Sequence, residues 1–168
     1  LFTLPSEKPR YSSTLLGLSI GRKQMLELGW GTYSKGLYKK ALEIFSDMQN
    51  DDRSPDIKNG LAWSYLQNKE IKIASKIFQD ILNIWPNNIG AIKGVETIKN
   101  IKRRHALHAD YYFDLNKFRI AKIKYIELKK EYPNWSYSYI QLGKIKLARN
   151  EYFSAREYFL DALDTEPN

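Results

Sequence analysis

Cysteine is missing from all 168 positions, which removes disulfides, thiolate metal sites and cysteine nucleophiles from consideration. That absence fits a periplasmic or secreted protein slightly better than a cytosolic one, and the choice between periplasm and cytoplasm stays open. Long apolar runs are missing too. The longest, Thr14–Ile20, falls far short of the ~20 residues a membrane-spanning helix needs and meets Gly21-Arg22-Lys23 at once. It carries no signal-peptide cleavage pattern, and no membrane insertion is expected. The chain begins at Leu1 instead of Met, so it is expected to be a piece of a larger protein.

What is present reads as folded. With 43% apolar and 27% charged residues the chain has the balance of a globular domain and enough length to bury a core. The net charge of +8 is unevenly spread: from Lys99 to Lys130 there are ten Lys or Arg against Asp110, Asp114 and Glu127. Such a stretch is either a solvated helix face or a surface for a polyanion, with Lys99, Lys102, Arg103 and Arg104 as its densest patch.

Signals for catalysis are thin. Gly17-Leu18-Ser19-Ile20-Gly21 fits the G-x-S-x-G elbow of serine hydrolases, but that motif needs a strand before it and a helix after it, and no segment reads as a sheet. His105 and His108 lie one helical turn apart without a third obvious ligand, which favours a structural pair over a metal site. No catalytic residue, metal or cofactor is assigned, and the chain is read as non-enzymatic. Asn134-Trp135-Ser136 is a glycosylation sequon that matters only in a eukaryotic secretory setting.

The dominant signal is repetition. Ala41, Ala74, Ala121 and Ala155 are separated by 33, 47 and 34 residues. Four residues after each comes Phe45, Phe78, Tyr125 or Phe159, and three before each comes Tyr38, Ile71, Phe118 or Tyr152. Spacings of three and four place these residues on one helical stripe, the aromatics as core fillers and the Ala where two helices cross most closely. Pro86, Pro133 and Pro167 each follow twelve residues after an Ala, with Pro55 slightly late in the first unit. Proline stops a helix and so separates one unit from the next. In the preceding helices Gly29, Ala62, Ala109 and Gly143 are the matching small residues, and the turns carry Gly36 or Asn.

This skeleton resembles the tetratricopeptide repeat family, over roughly four-fifths of the chain. The first unit departs from the pattern at Arg53, and the third has His105 and His108 where the family prefers an aromatic and Leu. The resemblance implies an all-α, right-handed solenoid of helix–turn–helix repeats, placed at about 22–55, 55–88, 102–135 and 136–168 after a leading segment 1–21. Residues 89–101 are extra. Their Ile89, Ile92, Val95, Ile98 and Ile101 recur every three residues, and the next Pro or Gly comes only beyond Tyr132. One lengthened helix over about 88–114 is therefore predicted, either packing against repeat two or offering an edge and angle of its own.

In the family the first helices line a concave groove. Carried onto this chain, that role falls to Leu26, Trp30 and Tyr33, then Asn59, Trp63 and Leu66, then Arg103, Ala106, Asp110 and Phe113, then Tyr137, Ile140, Lys144 and Leu147. The Lys/Asn clamp that some members use for acidic tails is replaced here by Leu26, Trp30 and Asn59. The resemblance thus implies a scaffold that holds an unidentified protein or peptide through apolar and aromatic contacts, with Asn59 and Arg103 as polar anchors. Nucleic acid is disfavoured because readers of that kind present polar groove positions. The last helix, with Tyr152, Phe159 and Leu163, has no polar capping helix after it, so either more repeats follow or that face self-associates. Periplasmic repeat regions of bacterial envelope and exopolysaccharide export machines are similar at the level of fold.

Overall fold

The computed structural model describes residues 15–49 and 54–165, and for residues 15–20 the backbone alone. The predicted positions 1–14, Arg53 and Pro167 lie outside the described residues. The described residues form helices and no strand: α1 Leu15–Ser34, α2 Tyr38–Gln49, α3 Pro55–Gln67, α4 Ile71–Ile84, α5 Ile89–Asp114, α6 Phe118–Glu131, α7 Ser136–Ala148 and α8 Tyr152–Leu163. They pair as four helical hairpins, the helix–turn–helix plan that the repeat pattern predicts. The chain divides into two compact units whose boundary, between Val95 and Glu96, falls inside α5.

Each hairpin turns by the same device. Gly36, Lys69, Asn116 and Asn150 adopt positive φ, at 77°, 68°, 56° and 59°. In every case the N–H of that residue donates three residues back and the next N–H donates five residues back, as in Gly36 N to Tyr33 O and Leu37 N to Thr32 O. This is the Schellman closure, which satisfies carbonyls that the helix end would otherwise strand. In the second hairpin the left-handed residue is Lys69 and not its neighbour Asn68, whose side-chain amide donates back to Ser64 O instead. Proline has two distinct uses. Pro86 and Pro133 follow α4 and α6 as stops, whereas Pro55 occupies the first turn of α3, where its fixed φ starts a helix.

In the first unit α1 packs on α2, α2 on α3 and α3 on α4. Ala41, Ile44, Phe45, Met48, Ile57 and Leu61 form its buried cluster. In the second unit α6 packs on α7 and α7 on α8. Ala41, Ala74, Ala121 and Ala155 are all buried, as are Phe45, Phe78 and Tyr125. The periodic stripe fails at its end: Tyr152 is 63% exposed instead of filling a core, and Ala155 is the buried residue of α8.

Helix α5 runs 26 residues, about 39 Å at 1.5 Å per residue. Its buried face differs from the expected isoleucine series. Ile89 is 68% exposed and Ile92 is exposed, while Ala91, Gly94 and Ile98 turn inward. A three-residue step drifts around a 3.6-residue helix, so five such positions cannot share one face. The inward Gly94 sits against the ring of Phe78, and this places the start of α5 on the second repeat. Gly60 makes the same approach to Phe45, 34 residues earlier.

Candidate partner-binding cleft on α5

In the second unit, one face of α5 and the start of α7 enclose a cleft of about 400 Å³ lined by Lys99, Arg103, Ala106, Leu107, Asp110, Trp135 and Tyr137. The α5 residues follow a step of four, then three or four, then four or three, which is the stripe spacing of a single helical face. Ala106 contributes no bulk between Arg103 and Asp110, and this leaves the cleft open. Trp135 is buried just before α7, its ring stacked on Tyr137 with centroids 4.9 Å apart and planes at 22°. Leu107 is 63% exposed, an apolar side chain on the open side.

The acidic end of the cleft is fixed by a hydrogen-bonded bracket. Tyr125 of α6 and Tyr137 of α7 both donate to Asp110 Oδ1, at 2.6 and 2.8 Å. The buried Oε1 of Gln141 has no hydrogen-bond partner. Burial first, and then the hydrogen bond to the Asp110 carboxylate, pushes both tyrosine hydroxyls far above their ordinary range near 10. These phenols therefore stay neutral donors, and the bracket joins α5, α6 and α7 through one carboxylate.

The basic patch does not form one surface. Lys99 and Arg103 line the cleft. Lys102 is half-buried with its ammonium 5.8 Å from the Tyr132 ring centroid, and Arg104 is exposed elsewhere on the helix. Farther along, Lys124 pairs with Glu127 at 3.0 Å, and Lys129 lies 4.3 Å from the Tyr139 ring centroid. His105 and His108 also part company. The Tyr132 hydroxyl lies 2.8 Å from His105 Nδ1, and His108 packs its ring against Tyr112.

The remaining expected groove positions fall in different settings. Trp30 packs edge-on against Phe45 and Tyr33 at 5.2 and 5.6 Å, and Trp63 against Phe78 at 5.4 Å, so each ring seals its own hairpin. Leu26 packs against the first-unit core. Asn59 and Leu66, each 6% exposed, are closed to a ligand. The Asn59 amide donates to Asn88 Oδ1 at 2.9 Å, the same oxygen that accepts from Ala91 N at the start of α5, so Asn59 serves as an internal strut. Phe113 lies edge-on to Phe118 and Tyr125, and Lys144 is exposed outside the cleft lining. Trp135 and Leu107 join the cleft from outside the expected groove positions. For Trp135 the available signal was its place directly after Pro133-Asn134, where the next helix begins.

No family model and no curated protein matches the chain. Among solved structures it is similar to residues 41 to the end of MamA from Desulfovibrio magneticus RS-1, with 13% identity over 85% of this chain and 93% of that one, and a TM-score of 0.44. A MamA crystal structure shares 17% identity over 92% and 83% of the two chains, with a TM-score of 0.44. A thermophilic TPR protein of Thermus thermophilus shares 17% over 86% and 74%, with a TM-score of 0.43.

Proposed function

We propose that this chain is a protein–protein interaction scaffold that receives its partner in the α5 cleft. The observation that carries the reading is the cleft itself: two cations, an exposed leucine, a buried tryptophan and a braced carboxylate converge on one open surface. Trp, Tyr and Arg are the residues most often found at energetic centres of interfaces, since they bury much area for few frozen torsions. No arrangement of nucleophile, base and oxyanion donors accompanies them, and Gly17–Gly21, the G-x-S-x-G match, lies within helix α1. Of the dense patch only Lys99 and Arg103 line the cleft, beside the Asp110 carboxylate, which weighs against a polyanion as its ligand.

Affinity capture with the wild-type chain, an Arg103→Glu/Leu107→Asp variant and a Lys130→Glu control tests the reading. Both altered cleft side chains are exposed, so folding should be preserved. The control should recover the same partner as wild type, and the cleft variant should lose it. Equal recovery by all three chains rejects the cleft as the binding surface.

Self-association is a second reading, favoured by Phe153 and Leu163 of α8, which are 89% and 80% exposed. A Phe153→Ser/Leu163→Ser variant should then have a lower mass in light scattering than wild type. Identical masses reject it.

A further inference from the structure

We infer that the α5 cleft is shaped for an amphipathic helix whose facing side chains carry an acid and a base seven residues apart. The inference rests on the scaffold reading and specifies the partner's chemistry.

Charge order comes first. Along α5 the cleft runs from Lys99 and Arg103, past Ala106 and Leu107, to Asp110. A uniformly acidic ligand would be drawn to one end and repelled at the other. A complementary ligand must reverse the order, presenting a carboxylate to Arg103, an apolar middle to Leu107, and a cation to Asp110. Asp110 is held for this by its two tyrosine donors, which act on Oδ1 and fix the carboxylate in place.

Spacing comes second. Arg103 and Asp110 are seven residues apart on one helix, about 10 Å along its axis. In a partner helix, seven residues span the same length and return to the same face. In an extended peptide at ~3.3 Å per residue, that length takes three residues, which puts the two charges on opposite sides. The cleft lining is side chain on α5 and aromatic ring on the α7 side, with no strand edge among the described residues to pair with extended backbone. A helix brings its own backbone hydrogen bonds already satisfied. Exposed Leu107 supplies the ridge between its turns.

The test uses the whole 168-residue chain and synthetic peptides of ~18 residues, long enough to hold helix. The matched peptide carries Glu and Lys seven apart on a leucine stripe. A scrambled peptide of equal composition puts the two charges on opposite faces, and a third replaces Lys with Glu. By fluorescence anisotropy the matched peptide should bind about three- to fivefold more tightly than either other peptide, since each of those keeps only one of the two charge pairs. Arg103→Glu should lose about fivefold for the matched peptide and regain it when the peptide's Glu becomes Lys. Equal binding of matched and scrambled peptides overturns the inference, as does tighter binding of the all-acidic one. If the peptides are indiscriminate yet Arg103→Glu/Leu107→Asp still abolishes partner capture, the helix pattern falls and the scaffold reading stands. If that variant captures its partner like wild type, the scaffold reading falls and takes the inference with it.

Discussion

The ring of Phe45 lies so close to the backbone of Gly60 that a Cβ at Gly60 would stand 2.5 Å from Phe45 Cε1. Phe45 is fully buried and cannot swing away, so the approach of α2 to α3 requires a residue without a side chain. Gly60→Ala should therefore destabilise the protein by about 1–3 kcal/mol through overpacking. Gly31→Ala is the counterpart, since nothing lies within 4 Å of a Cβ there, and it should be neutral or stabilising by up to ~1 kcal/mol through helix propensity. Urea midpoints of the two variants should move in opposite directions or leave Gly31→Ala unmoved. A destabilisation of similar size in both would contradict the packing account.

The turn between α3 and α4 holds Lys69 at φ 68°, a region in which Cβ crowds the following carbonyl. The other hairpins meet the same demand with Gly36, Asn116 and Asn150, which tolerate it better. Lys69→Gly should raise stability by about 1 kcal/mol, visible as a higher melting temperature. A lower one would mean that the lysine side chain contributes more than its backbone strain costs.

Removing the bracket should destabilise the second unit. Asp110→Ala leaves the Tyr125 and Tyr137 hydroxyls without their shared acceptor, at about 1–3 kcal/mol for the fully buried Tyr125 and less for half-buried Tyr137 at the cleft. Adding Tyr125→Phe to that variant should cost less than the same change in wild type, because the orphaned hydroxyl is gone. Strict additivity in a double-mutant cycle would show that the two groups do not interact.

Alkaline pH should unfold the protein through its tyrosines. Burial, the leading cause, raises the hydroxyls of Tyr125, Tyr132 and Tyr137, reinforced by Asp110 for the first and last and by Glu131 for Tyr132. The folded values exceed the unfolded one near 10, so the unfolded state releases protons first. Stability is complete below pH ~10 and declines as pH rises beyond it. The urea midpoint should fall above that pH, and tyrosinate absorbance from these residues should appear with unfolding and not before it. Early absorbance from all tyrosines would overturn the assignment.

Much of this was visible in the order of residues. Small and aromatic side chains at three- and four-residue steps, repeated at about 34, locate the crossings, because close packing tolerates few residue types there. The length of α5 was also legible, from a long stretch free of breakers. Less visible was which periodic residue faces inward. Ile89 and Ile92 have the right chemistry but the wrong phase, and Asn59 and Leu66, expected to face a groove, are buried.

Local sequence by itself determined where helices start, stop and turn, since those events depend on a few neighbouring residues and their backbone preferences. Tertiary structure alone decided that Asp110 would be gripped by tyrosines from two other helices, that Trp135 would stack beneath an open cleft, and that Lys99 and Arg103 would line that cleft while Lys102 lies by the Tyr132 ring. Those outcomes depend on the orientation of one helix about its axis relative to the next. That angle is set by the summed packing of many side chains, and no single stretch of sequence encodes it.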